Sequence, residues 1–258
     1  MKLRPFQVPP IVRRGQVGQN TWMPIRGEFS LNLFVARVDA LYRTDLNGRL
    51  ESTNEWDSRL PPRFHLMRTA EGPIFRCRAD VPDNIVRALS ALCDREPPDR
   101  AFETLPVHYD QYLEVLASHA PVANVWSGPA YMSIRDAPPS LVPLSINEGN
   151  ADLLCHYFKD WLPDVPHRQP FVAVIKDGHA VSICASARIS PSVHCAGVET
   201  HSAYRQRGYA SNAVAGWACA VRSQNAVPFY STSWNNLASQ RVAERLGFAL
   251  AGVDLHVT

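Results

Sequence analysis

Apolar residues in this chain come in short runs whose spacing switches between two and about 3.6, with prolines and glycines between them. Residues 28–80 read as β. Residues 34–42 partly alternate, Asn47-Gly48 signals a tight turn, and 63–68 and 74–78 flank Glu71-Gly72-Pro73 as a second hairpin. Asp83 is placed to cap a helix carrying Ile85, Val86, Leu89 and Leu92. Tyr109, Tyr112, Leu113 and Leu116 predict a second helix over 107–119, and 122–132 return as a strand. Further on, Asn150 is placed to cap a helix with Leu153, Leu154, Tyr157, Phe158 and Trp161, which Pro163 and Pro166 end. Strands at 171–175 and 180–184 are joined by Asp177-Gly178, and 196–200 form a short strand. Val214, Trp217, Ala218 and Val221 fall at i, i+3, i+4 and i+7, the stripe of an amphipathic helix. A strand at 229–233, a helix ending in Arg245-Leu246-Gly247-Phe248 and a strand near 253–257 close the chain.

Asp136-Ala137-Pro138-Pro139-Ser140 interrupts this pattern, because adjacent prolines stop regular structure. The expected division is an irregular Pro-, Gly- and Arg-rich arm over 1–27, an N-terminal α+β domain over 28–138, and a C-terminal domain over 139–258. A composition of 46% hydrophobic and 19% charged residues is that of a globular protein. The net charge of +2 argues against a broad nucleic-acid footprint. Lys2, Arg4, Arg13 and Arg14 are followed by no apolar stretch, so no signal peptide is expected. Nothing approaches the ~18 apolar residues of a membrane span, and a cytoplasmic location is expected. Six cysteines with no Cys-x-x-Cys pair read as reduced, buried thiols. His194 and Cys195 are strand neighbours pointing to opposite faces, so they share no site.

The chemistry concentrates in Arg205-Gln206-Arg207-Gly208-Tyr209-Ala210, where a strand gives way to a helix. A helix N-terminus offers unpaired N–H groups and the positive end of its dipole to an anion. Gly208 lets the main chain come close to a ligand, small Ala210 keeps the helix start open, and Arg205 and Arg207 add charge suited to phosphate oxygens. Arg205-x-x-Gly208-x-Ala210 resembles the (Gln/Arg)-x-x-Gly-x-(Gly/Ala) signature of the GNAT superfamily of acyl-CoA-dependent N-acyltransferases. A second element resembles the same family: a strand at 229–233, Asn236-x-x-Ser239, and a helix ending in Leu246-Gly247-Phe248. The resemblance covers roughly residues 145–258. It implies an α/β fold of the α+β kind, a mixed central sheet flanked by helices, here preceded by a smaller α+β domain.

The resemblance also implies acetyl-CoA as cosubstrate, held by Arg205, Gln206, Arg207, Gly208, Tyr209 and Ala210. Backbone amides near Val198 and Thr200 would pair with the pantetheine arm, and one of them would meet the thioester oxygen. Asn236 is expected to touch that arm, to cap the last helix, or both. Glu199, an acid in an apolar strand just before the turn, is the first candidate for general base, since burial there makes a carboxylate more basic. The alternative for Glu199 is an ion pair with Arg205 or Arg207. His201 is the second candidate base, or an exposed loop residue. Many family members carry a tyrosine that protonates the leaving thiolate four residues before the Leu-Gly-Phe glycine; this chain has Ala243 there. Ser239, Tyr230 or water are the substitutes, unless the thiolate leaves unaided.

The expected activity is transfer of an acetyl group to a primary amine on a small molecule. Ala243 keeps a CoA-binding sensor open as the rival, and a protein amine is the other acceptor class. No metal is expected, and no phosphate-loop, zinc-helix or dinucleotide fingerprint occurs. The N-terminal half reads as a wall of the acceptor site, a domain selecting the acceptor, or a homodimer contact. Trp56, Tyr109, Trp126 and Tyr131 are pocket or core aromatics there, and 95–100 read as a solvated loop.

Overall fold

Residues 30–102, 105–135 and 137–258 are described by the structure, a computed structural model. The arm expected over 1–27 lies outside them. Helix α1 (Leu31–Leu41) leads into a small hairpin of β1 (Tyr42–Thr44) and β2 (Leu50–Thr53). A second hairpin, β3 (Phe64–Thr69) and β4 (Gly72–Cys77), precedes α2 (Asp83–Cys93), α3 (Tyr109–His119) and β5 (Val125–Met132). Short β6 (Leu144–Ser145) is followed by 3₁₀ segments at Glu148–Leu154 and Lys159–Asp164, then the hairpin β7 (Phe171–Lys176) and β8 (His179–Ile189). The chain ends with β9 (Val193–Thr200), a 3₁₀ turn at Ser202–Tyr204, α4 (Tyr209–Ser223), β10 (Val227–Ser231), α5 (Leu237–Arg245) and β11 (Ala249–Val257).

Nine strands form one mixed sheet in the order β4-β3-β11-β5-β10-β9-β8-β7-β6. β11 inserts between β5 and β3, antiparallel to both, so a strand from after the proline stretch lies between two from before it. The expected mixed sheet flanked by helices is present. Residues 138–140 separate β5 from β6 along the chain, yet both strands belong to that one sheet. Asn212 on α4 anchors the segment after the prolines, accepting from Leu141 N–H at 2.8 Å and Ser140 Oγ at 3.0 Å.

Alternation divides the side chains between two layers. One face packs Met67, Ala130, Cys195 and Phe229 against Phe34 and Val38 of α1, and carries the 3₁₀ segments over Phe171 and Ile183. The other packs Tyr131, Val181 and Tyr230 against Val214, Trp217 and Val221 of α4, and Phe64 and Leu255 against Leu89 and Tyr112 of α2 and α3. His194 and Cys195 do face opposite ways: His194 Nδ1 lies 2.9 Å from Ser186 Oγ, while Cys195 packs beneath α1.

Several expectations are corrected, among them the Asp83 cap: Asp83 is the first residue of α2, which has no side-chain cap. Residues 34–42 are largely helix, not strand. Ser30 caps α1 by accepting from Asn32 N–H at 3.1 Å, and Phe34, Arg37, Val38 and Ala40 form its buried face. The apolar stripe is interrupted by a charged residue, which hides the helical period. Residues 150–161 form no α-helix. Asn147, not Asn150, is the cap; the two exchange side-chain and main-chain hydrogen bonds, and Asn150 itself departs from helical geometry. Glu96 in the supposedly solvated 95–100 loop is buried, accepting from Val107 N–H at 2.7 Å and the Tyr112 hydroxyl at 3.1 Å ahead of α3. Of the cysteines, Cys77, Cys93, Cys184 and Cys195 are buried, Cys219 is half-buried and Cys155 is exposed.

Arg37 is buried because Asp254 on β11 receives it through two hydrogen bonds, at 2.8 and 2.6 Å. His65 Nε2 lies 3.1 Å from Asp254 Oδ1, and His256 stacks edge-on against His65 at 4.7 Å. Burial alone would raise the Asp254 carboxyl, but Arg37 and His65 outweigh it and hold it well below the usual range. Burial lowers His65 and pushes His256 down to about 3. His65, Asp254 and His256 bring donor atoms within 4.8 Å of one another, yet Arg37 already occupies both carboxylate oxygens and balances their charge.

Candidate functional site

β9 and β10 run parallel over Val193–Cys195 and Val227–Phe229, the one parallel pair among the described strands. Past that register β9 pairs only with β8, while Tyr230 and Ser231 of β10 pair with β5. The two strands part from Ala196 onward. His201 N–H donates to Val181 O at 3.1 Å, and the Glu199 carbonyl meets Ser182 Oγ at 3.3 Å. Peptide groups alternate direction along an antiparallel strand. The N–H groups of Val198 and Thr200 therefore point away from β8, into the gap.

The gap leads to the turn before α4. Arg205 Nε donates to Thr200 O at 3.2 Å, folding the turn back on the strand end. Gln206 and Gly208 both take left-handed conformations, φ 62° and 80°, so the turn needs a residue without a side-chain penalty at Gly208. α4 then starts with no side chain capping it, so its first N–H groups remain open to a ligand. Arg207 lies over the Tyr204 ring at 5.7 Å. Arg245, a residue absent from the sequence expectation, flanks the same turn: a Cβ on Gly208 would stand 3.7 Å from its Nη1. The signal for it is weak, a basic residue in the last turn of α5.

On the far side of the gap Asn236 caps α5, its Oδ1 accepting from Ser239 N–H at 3.2 Å. Ser239 Oγ is hydrogen-bonded to the Tyr230 hydroxyl. Burial pushes the Tyr230 phenol up to about 12, with the Ser239 bond pulling the other way. Ala243 is buried in the core one turn further along α5. Gly247 ends that helix in the left-handed region, with Phe248 N–H returning to Ala243 O at 3.0 Å.

Glu199 is exposed, so the burial expected to strengthen it as a base is not found. It pairs with neither Arg205 nor Arg207; its Oε2 accepts the indole N–H of Trp161 at 2.7 Å. His201 is half-buried and stacked on Tyr157 at 3.9 Å, and its Nδ1 is buried without a partner. Tyr230, Ser239 and Asn236 thus form one hydrogen-bonded group, and Thr200 and Arg205 another; Glu199 and His201 rest on separate aromatic neighbours. Tyr157 is expected as part of a core stripe, and Trp161 both as part of that stripe and at the start of 161–170, a segment expected with the N-terminal half to shape the acceptor pocket. The sequence signal for Trp161 is Gly197, an isolated glycine in a strand that marks a close approach. Of the other aromatics, Tyr131 is core, Tyr109 packs beside α2, Trp126 lies against His256, and Trp56 is 45% exposed.

A family model described as GNAT acetyltransferase matches residues 142–252. No curated protein sequence matches the chain. Several solved structures are similar in fold. A protein from Novosphingobium aromaticivorans assigned to the GNAT acetyltransferases is 19% identical with a TM-score of 0.45, covering 53% of this chain and 65% of its own, so the match spans less than two thirds of that protein. A GCN5-related N-acetyltransferase-like protein from Streptococcus suis is 16% identical at TM-score 0.43, covering 76% of this chain and 84% of its own. An acetyltransferase of the GNAT family from Colwellia psychrerythraea is 9% identical at TM-score 0.42, covering 71% and 76%. Among the described residues no helix is long and apolar enough to cross a membrane.

Proposed function

We propose, from the membership of residues 142–252 in the GNAT acetyltransferase family, that this chain is an N-acetyltransferase moving an acetyl group from acetyl-CoA to a primary amine on a small molecule. The observation that carries this reading is the junction of a parted strand pair with an uncapped helix start. The diphosphate of CoA takes the open N–H groups of Tyr209 and Ala210, with Gln206 and Gly208 shaping the turn and Arg205, Arg207 and Arg245 supplying positive charge. The pantetheine arm then runs along the gap, pairing with the main chain at Val198 and Thr200 and passing Asn236.

In the reaction the amine nitrogen attacks the thioester carbonyl carbon, and the carbonyl oxygen takes the negative charge. An N–H aimed into the gap from Val198 or Thr200 meets that oxygen; one such donor is worth ~3–4 kcal/mol in related chemistry. Glu199 accepts the proton the amine sheds. Its place at the strand end, with Oε2 held by Trp161, favours it by position over His201, whose ring is held against Tyr157. The carbon–sulfur bond breaks as the amide forms, and the departing thiolate takes a proton from the Tyr230–Ser239 hydroxyl pair. Pushed up to about 12, the Tyr230 phenol is protonated at neutral pH and is able to donate. Solvent returns a proton to the hydroxyl pair and takes the one on Glu199.

A CoA-binding sensor is the second reading, favoured by Ala243 where a catalytic tyrosine is usual. Thiol release from acetyl-CoA, followed with a thiol reagent across a panel of small primary amines, separates the two. Amine-dependent release supports the transferase. Binding of acetyl-CoA without release over the whole panel supports the sensor.

A further inference from the structure

We infer that Trp161 is the positioning residue of the acceptor site, and that this site takes a cationic amine with a flat apolar body. The inference rests on the acyltransferase reading above. Gly197 and Glu199 lie two apart on β9, on one face of the sheet. Trp161 crosses that face from the second 3₁₀ segment. A Cβ on Gly197 would stand 3.1 Å from Trp161 Cη2 and 3.7 Å from Cζ3, so the glycine makes room for the ring. The indole N–H fixes Glu199 Oε2 at 2.7 Å. Glu199 Oε1 has no protein partner among the described hydrogen bonds. An exposed strand-end carboxylate is thereby pinned with one oxygen in use and one open, and the entropy of ordering it is spent before a ligand arrives.

The ring is itself braced. Its edge meets Phe171 at 5.9 Å, and the Arg168 guanidinium covers it at 5.3 Å. Arg168 is held by Asp164 at 3.0 Å and Glu55 at 3.5 Å. Glu55 comes from the loop after β2 and also pairs with Arg188. In that loop Trp56 donates to Asp164 at 2.6 Å and stacks on His167 at 5.0 Å, and Asn54 donates to Ile189 O at 2.9 Å. The N-terminal half thus reaches Glu199 through Glu55, Arg168 and Trp161. Within this chain of contacts Arg168 and Arg188 balance Glu55 and Asp164. Glu199 is the carboxylate left over, so the local excess is one negative charge beside an indole. An ammonium with a flat apolar body satisfies both partners.

Calorimetry on the full chain saturated with CoA tests this, using phenethylamine as the probe and 2-phenylethanol as its uncharged counterpart. The expected result is binding of the amine about tenfold tighter than the alcohol. E199Q removes that preference. W161F keeps a ring but loses the N–H, and weakens the amine several-fold with CoA affinity and melting temperature unchanged. In the E199Q background W161F adds nothing, a coupling that a purely structural tryptophan does not produce. G197A, which crowds the indole and Ala187 Cβ, each at 3.1 Å, while leaving the Trp161 and Glu199 side chains chemically unchanged, acts in the same direction as W161F. Equal affinity for amine and alcohol, no amine binding, or additive effects of E199Q and W161F overturn the inference. A wild-type chain that fails to bind CoA in the preceding titration overturns the acyltransferase reading instead, and this one with it.

Discussion

Removal of Arg37 is the sharpest stability test. Its guanidinium is fully buried and makes two hydrogen bonds to Asp254, whose side chain is 2% exposed. R37M leaves that carboxylate buried with His65 as its remaining partner. An uncompensated buried charge of this kind costs about 3–5 kcal/mol, a large part of the 5–15 kcal/mol typical of a domain. R37M/D254N removes the charge as well, and should recover all but about 1–2 kcal/mol, the share of an amide with imperfect partners. D254N alone leaves Arg37 unpaired and should resemble R37M. Urea unfolding at pH 7 followed by circular dichroism gives the three values, and the double variant should be more stable than either single one. Loss of less than about 1 kcal/mol in R37M, or simple additivity in the double variant, refutes the claim that this pair fastens α1 to the sheet.

Three further outcomes are expected. Burial lowers His65 and pushes His256 to about 3, so the folded form keeps His256 neutral and protonates His65 less readily than the unfolded chain, whose histidines bind protons near pH 6.5. Stability is therefore full above that pH and falls as pH drops below it, by up to about 1.4 kcal/mol per pH unit for each histidine; urea midpoints that do not change between pH 7.5 and 5 would contradict this. G208A forces a side chain into φ 80° and should cost about 1–2 kcal/mol while weakening CoA, read by thermal melting and calorimetry together. Y230F removes the buried hydroxyl that reaches Ser239, and should lower kcat about 100-fold with CoA affinity kept; an unchanged kcat removes Tyr230 from the reaction.

Local chemistry made much of this molecule legible in its sequence. Asn47-Gly48 and Asp177-Gly178 mark hairpins because turn type depends on residues within the turn, and both glycines take positive φ. The 205–210 stretch is legible for the same reason, since a positive φ at Gly208 and an open helix start need nothing from elsewhere in the chain. Long-range partners are what the pattern conceals. Arg37 breaks the stripe of α1, and the carboxylate that permits its burial lies 217 residues away. Trp161 reads as core stripe and as the start of a pocket-forming segment, but its partner Glu199 lies 38 residues on and only the fold brings it to the indole N–H. The continuity of the sheet past residues 138–140 depends on β11 pairing with both β5 and β3 and on β10 pairing with β5, which no spacing along the chain announces.

Acetyl-CoA titration of the wild-type chain and of R205E/G208D tests the central claim most directly. The double change puts two carboxylates where the diphosphate is to sit and fills the one position that needs a glycine. Saturable binding by the wild type and a loss on the order of 100-fold in the variant, with folding retained by circular dichroism, is the predicted result. Equal affinity in the two proteins would contradict it.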